Sequence, residues 1–191
     1  MKICVFGAAS GRIDDLYIEV VERLGEEIGK RGHTLVFGAG CTGLMGAAAR
    51  GVNRAGGEII GVIPHFFREE AIEVIYDKCT EIIYTNTMAE RKGKMGELAD
   101  AFIVVPGGIG TFEEFFEVVT LKQLGQHTKP IALMDINGYY DKLEDFLNYS
   151  IETGFIRNGV SHLFNCVCDP KEAVDYIENH LPQRYSVKDL K

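Results

Sequence analysis

The chain has 191 residues, 46% hydrophobic and 25% charged, a size and balance that let one domain, 1–191, bury a proper core. No run approaches the roughly 18 apolar residues of a membrane span, and a formal charge of −8 argues against nucleic acid as a partner, since phosphate contacts need a basic surface. Cys4, Cys41, Cys79, Cys166 and Cys168 are odd in number and scattered, and no targeting segment precedes Ile3, so a cytoplasmic, reduced and metal-free protein is expected.

The pattern alternates strand and helix from end to end. Ile3–Gly7 reads as a strand, followed by the loop Ala8-Ala9-Ser10-Gly11. Asp14 to Lys30 is a helix with Leu16, Val20, Leu24 and Ile28 at four-residue spacing, closed by Gly32. Thr34–Phe37 is a strand, the turn Gly38–Gly43 feeds a helix over Leu44–Arg54, and Glu58–Ile63 is a strand stopped by Pro64. The stretch from His65 to Asp77 has no decisive pattern beyond room for a short helix. Glu81–Tyr84 is a strand, and Thr85, Asn86 and Thr87 are cap candidates for a helix running to about Ala99. Ala101–Val105 is a strand, and apolar residues at Phe112, Phe115, Phe116 and Val119 mark a helix after it. Lys129–Met134, a helix around Tyr139–Thr153, the strand Leu163–Val167 and the helix Pro170–His180 follow. The polar tail 181–191 is expected to lie on the surface. Such alternation predicts an α/β fold with a mostly parallel sheet covered by helices on both faces, whose ligands collect at the carboxyl ends of the strands.

Three stretches carry chemistry. In Val104-Val105-Pro106-Gly107-Gly108-Ile109-Gly110-Thr111-Phe112-Glu113-Glu114, a buried strand meets a glycine-rich turn and a helix N-terminus. The unpaired first amides and the helix dipole suit an anion there, and glycine lets the backbone approach it. A plain turn capped by a hydroxyl is the simpler alternative. Glu113 and Glu114 are expected in the first helical turn, where one could face a sugar hydroxyl or a water; spacing does not choose between them. Gly38-x-Gly40-x-x-Gly43 fits a dinucleotide fingerprint, but the acid twenty residues on, Glu58, opens its strand instead of ending it. A nucleotide approach therefore fits and NAD does not. On the helix of Met88–Met95, Met88, Arg91, Lys92 and Met95 share one face, while Glu90 and Lys94 form an exposed pair on the other. Arg91 and Lys92 either snorkel over apolar surface or wait for an anion. The histidines show no metal spacing, and there is no nucleophile elbow.

These blocks resemble a known family. Pro106-Gly107-Gly108-Ile109-Gly110-Thr111-Phe112-Glu113-Glu114 matches P-G-G-x-G-T-x-x-E, and Gly43-Leu44-Met45-Gly46, Met88-Ala89-Glu90-Arg91-Lys92 and Val119–Gly125 match three further blocks. Together they look like the LOG family of cytokinin riboside 5′-monophosphate phosphoribohydrolases, many bacterial members of which carried the label of possible lysine decarboxylase. The resemblance implies a Rossmann-like homodimer that hydrolyses the N-glycosidic bond of AMP or an N6-modified AMP without a cofactor. It further implies Arg91 and Glu114 as the catalytic pair, with Ser10, Gly40, Gly43, Met88, Lys92, Gly107, Gly108, Gly110, Thr111 and Thr120 at the substrate. Two stretches depart from the family pattern. Ala39 and Cys41 interrupt a loop that usually runs three glycines, and a substrate-contacting glutamate expected in His65–Asp77 has Glu69 and Glu70 as candidates. Two other readings compete: a non-catalytic nucleotide-binding module using the same turn, and a pyridoxal-phosphate decarboxylase that would need Lys92, Lys94 or Lys129 as its Schiff-base lysine.

Overall fold

The computed structural model describes residues 1–70 and 73–185. Among these residues, seven strands form one sheet in which every neighbouring pair is parallel: β1 (Lys2–Phe6), β2 (Thr34–Phe37), β3 (Ile59–Pro64), β4 (Glu81–Thr85), β5 (Ala101–Val104), β6 (Ile131–Met134) and β7 (Asn165–Val167), in the order β4-β3-β2-β1-β5-β6-β7. The helices are α1 (Asp15–Lys30), α2 (Gly43–Arg54), α3 (His65–Glu69), α4 (Met88–Leu98), α5 (Ile109–Gln123), α6 (Asp141–Glu152) and α7 (Pro170–Asn179), with one 3₁₀ turn at Asn158–His162. The chain is thus a three-layer, Rossmann-like α/β sandwich.

Alternate residues of each strand enter different cores, because side chains leave a strand on opposite faces. Ile3, Val5, Leu35, Phe37, Ile59 and Ile103 pack with α1, α2 and α7. Cys4, Phe6, Val36, Val62, Phe102 and Val104 pack with Met95, Phe115, Val118 and Tyr140 on the other side. Burial on both faces explains why the central strands read as unbroken apolar runs.

Most expected elements form within a residue or two of their predicted ends. Asp14 caps α1 through Leu16 N–H at 2.9 Å, and Thr87 caps α4 through Glu90 N–H at 3.1 Å. Leu16 is an exception to its periodic row, being exposed at the first turn of α1. Residues Leu163 and Phe164 lie outside β7, which starts at Asn165. Of the predicted tail, 181–185 are described and 186–191 lie outside the described residues. The strand order reverses direction between β1 and β5, which opens a crevice at their carboxyl ends, the position where such sheets bind ligands.

Candidate active site

The phosphate-type turn sits at this crevice, after β5. α5 begins at Ile109, two residues before Thr111, with Gly108 as its N-cap and no side-chain hydrogen bond to the cap. The plain reading of a hydroxyl-capped turn therefore fails, and Glu113 and Glu114 fall in the second helical turn, not the first. Thr111 is buried in the first turn, and a Cβ on Gly107 would overlap its side chain. Beside the turn is a recess of about 310 Å³, lined by Ala8, Ser10, Ile13, Tyr17, Leu44, Pro106, Gly107, Gly108 and Tyr139. Ser10 is exposed there, and its Oγ accepts the Arg12 N–H at 3.2 Å.

The glycine loop after β2 fits against both neighbours. Gly43 has a φ of +60°, and a Cβ there would strike the Ala8 carbonyl, which accepts the Leu44 N–H at 2.8 Å. A Cβ on Gly38 would overlap the Arg91 guanidinium. Ala39, one of the two departures from the expected glycines, adopts a φ of +67°, and its buried methyl lies over Gly61 of β3. The left-handed conformation is thus retained without a glycine, because Gly61 leaves room for the methyl.

Arg91 settles the question left open by its helix face. It is only 5% exposed, its Nε donates to the Val62 carbonyl at 3.1 Å, its Nη1 lies 3.9 Å from the Met88 sulfur, and its Cζ is 5.8 Å from the centre of the Phe67 ring. The charge is held inside instead of snorkelling out. Lys92 behaves differently: its Nζ pairs with Glu113 and, at 3.1 Å, with Glu117. The Glu113 hydrogen bond, opposed by partial burial, keeps Lys92 above its ordinary pKa. The expected Glu90–Lys94 pair is replaced, since Glu90 accepts the N–H of Asn86, the residue before the α4 N-cap, at 2.8 Å, while Lys94 pairs with Glu97 at 3.1 Å.

The two glutamates of the motif therefore separate. Glu113 is exposed and tied to Lys92. Burial pushes the Glu114 carboxyl up to about 7, although the Arg91 charge pulls it down. A third carboxylate joins them from the segment that the sequence left undecided. Residues 74–76 pair with the glycine loop through Cys41 N–H to Val74 O at 2.9 Å and Tyr76 N–H to Ala39 O at 2.8 Å. That pairing sets Glu73 against Gly40, where a Cβ would overlap its Oε1. Glu73 Oε1 is buried with no hydrogen-bond partner among the described residues, and burial raises its pKa while Arg91 lowers it. Glu69 and Glu70, the expected candidates, are exposed at the end of α3. A glycine at position 40 facing a glutamate across a loop is a contact that no local spacing reveals.

The structure thus brings Gly38, Gly40, Glu73, Met88, Arg91 and Glu114 together, with Ser10, Gly43 and Gly107–Thr111 along the same edge. Thr120 stands apart, exposed two and a half turns further down α5 and lining a different cavity with Phe116 and Phe155. Among the described residues, no group of three or more His, Cys, Asp or Glu could hold a metal ion.

A protein family described as "Possible lysine decarboxylase" matches residues 45–177. A probable cytokinin riboside 5′-monophosphate phosphoribohydrolase of Oryza sativa subsp. japonica is 37% identical, covering 97% of this chain and 75% of its own length. An Arabidopsis thaliana cytokinin riboside 5′-monophosphate phosphoribohydrolase is 36% identical, covering 100% and 88% respectively. Among solved structures, the molybdenum cofactor carrier protein of Chlamydomonas reinhardtii shares the fold with a TM-score of 0.71 at 24% identity, over 93% of this chain and 95% of that one. The molybdenum cofactor binding protein of Rippkaea orientalis does so with a TM-score of 0.69 at 21% identity, over 93% and 94%. The extent and identity of the sequence matches establish that the chain belongs to the LOG family of cytokinin riboside 5′-monophosphate phosphoribohydrolases.

Proposed function

We propose that this protein hydrolyses the N-glycosidic bond of AMP or an N6-modified AMP, giving the free base and ribose 5-phosphate. The observation that carries the reading is a buried arginine beside a half-buried glutamate of raised pKa, which follows, about one helical turn on, a glycine turn that suits a phosphate. The Gly107–Thr111 amides would take the 5′-phosphate, and its binding energy would hold the sugar for the reaction. As the C1′–N bond breaks, positive charge develops on the ribose. Ionised Glu114 would stabilise it and order the attacking water, whose hydroxyl joins C1′ while a proton goes to the base. Arg91, fixed by Val62 and shut away from bulk water, would hold charge beside the phosphate or the departing base. Glu73 supplies an unused acceptor oxygen in the same place for a hydroxyl or an exocyclic amine.

A decarboxylase reading is not supported by the candidate lysines. Lys92 is neutralised by two glutamates, Lys94 by Glu97, and Lys129 Nζ donates to the Gly96 carbonyl at 2.6 Å. Lys122 is driven down to about 8 by burial, but it is wholly enclosed and offers no room for a Schiff base. These residues do not fit pyridoxal phosphate.

A homodimer fits the exposed apolar face of α5. Ile109, Phe116, Thr120 and Leu124 fall on one side of the helix and all are exposed, so in a pair formed through α5 Thr120 would face the partner.

Incubation with AMP and with isopentenyladenosine monophosphate, followed by chromatography for free base, tests the reading. Release from at least one is expected, and Glu114→Gln should still bind AMP while losing more than about a hundredfold in rate, the scale of a removed electrostatic group. No release from either nucleotide, with AMP still protecting the fold against heat, would leave a binding module instead.

A further inference from the structure

Beside the phosphate turn runs the connection from β6 to α6, which enters the site described so far only through Tyr139, a wall of the recess. Asn137 and Gly138 have φ values of +56° and +71°. The left-handed region is costly for Asn137, and such strain persists only where the surroundings hold it. Asp135 holds it: one carboxylate oxygen accepts the Gly138 N–H at 3.1 Å and the other accepts the Tyr140 N–H at 2.7 Å. The bend sends two consecutive tyrosines to the back of the glycine turn. Tyr140 Oη donates to the Val105 carbonyl at 2.8 Å, and Tyr139 Oη donates to the Gly107 carbonyl at 2.6 Å.

The two intervening carbonyls are also engaged. Pro106 O accepts the Ala8 N–H at 3.1 Å, and Gly108 O accepts the Phe112 N–H at 3.0 Å. Every carbonyl from 105 to 108 therefore points at a donor within the protein. In a planar trans peptide the C=O and the next N–H point in opposite directions. Drawing the Gly107 oxygen toward Tyr139 accordingly turns the Gly108 N–H away from Tyr139. A glycine–glycine peptide left free would rotate easily, because neither residue carries a Cβ. Rotated, it would set a carbonyl oxygen where an anion needs a donor.

We propose that Tyr139 is a positioning residue for the phosphate turn: its hydroxyl locks the Gly107–Gly108 peptide so that the N–H side faces the ligand. The inference rests on the reading of Gly107–Thr111 as the nucleotide's phosphate site. Tyr139 and Tyr140 divide the work. Tyr140 is 1% exposed, so its hydroxyl belongs to the core, whereas Tyr139 is 41% exposed and packs edge-on against Tyr17 and Tyr140. Loss of the Tyr139 hydroxyl removes the lock and leaves the ring contacts in place.

Tyr139→Phe tests this. The dissociation constant for inorganic phosphate and the KM for AMP should both rise about three- to tenfold, the scale of one net hydrogen bond, while kcat stays within about twofold. The melting temperature without ligand should stay within about 2 °C, the scale of a few tenths of a kcal/mol in a domain this size. A purely structural role would lower that temperature and kcat together, and would overturn the proposal, as would unchanged phosphate and AMP affinities. If the wild-type protein releases base from no nucleotide, the hydrolase reading fails, and the phosphate affinities of the two proteins still decide the role of Tyr139. No phosphate binding by the wild type would overturn both.

Discussion

Glu114 shows how burial and charge can oppose each other at one side chain and leave a usable result. Its carboxyl is lifted to about 7 by desolvation in spite of Arg91 and Lys92, with Glu113 and Glu117 adding to the rise. Ionised Glu114 is the form that favours an oxocarbenium-like state, so kcat/KM for AMP should climb with pH and reach half its plateau near 7. The second phosphate proton of AMP leaves about one unit lower, which steepens the limb below pH 6. A profile flat from pH 5.5 to 8 would remove Glu114 from this role. The sign for stability is the reverse. An acid whose folded pKa is raised favours the fold while protonated, and that contribution is lost as pH rises from the ordinary carboxylate range through about 7. Glu114→Gln should therefore unfold no more easily than the wild type at pH 8, even as it loses activity.

α5 serves the site at one end and carries a cost in its middle. Lys122 is fully buried, its Nζ has no hydrogen-bond partner among the described residues, and burial lowers it to about 8. Its charge also contributes to holding His127 and His180 below their ordinary range, behind the larger effect of burial. An unpaired buried amine costs about 1–3 kcal/mol, so Lys122→Met should raise stability by that order at pH 7. The unfolded chain binds the proton more tightly, so wild-type stability should rise with pH between about 8 and the ordinary lysine value, and the gain from Lys122→Met should fade across that window. Chemical denaturation of both proteins at pH 7 and pH 10 checks this, and a less stable Lys122→Met at pH 7 contradicts it. None of this was legible in the sequence, where Lys122 is one more charge in a helix. What was legible depended on local signals. Apolar runs gave the strands, and Asp14 and Thr87 announced α1 and α4 by their side chains. α5 begins earlier than expected because its cap, Gly108, has no side chain to announce it. Glu73 escaped notice because its place depends on residues 74–76 pairing with the loop at 39–41, a long-range event. The Glu90–Lys94 pair failed because Glu90 closes the helix N-terminus instead.

The chain carries a net charge of −8, so on the proposed reading Arg91 and the α5 amides would hold an anionic substrate against a repulsive background. Sharing a wall of the site between two copies would add donors and exclude water without altering either fold. The exposed stripe of Ile109, Phe116 and Leu124 runs from the phosphate turn to the far end of α5. Phe155, 87% exposed, extends it across a cavity of about 250 Å³ that also holds Thr120. Light scattering at tens of micromolar should then give about twice 21.2 kDa for the wild type. Leu124→Glu combined with Phe155→Glu should return the mass of one chain, because two like charges buried in a self-complementary face repel across the axis. Both side chains are largely exposed within one copy, so the fold should survive, and far-UV circular dichroism would verify that it does. A wild type that scatters as a single chain would remove the pair altogether. A double variant that keeps twice the mass would place the shared face elsewhere than α5. If the pair forms here, the same double variant should also weaken AMP turnover, since Thr120 would then act on the partner's nucleotide and not on its own.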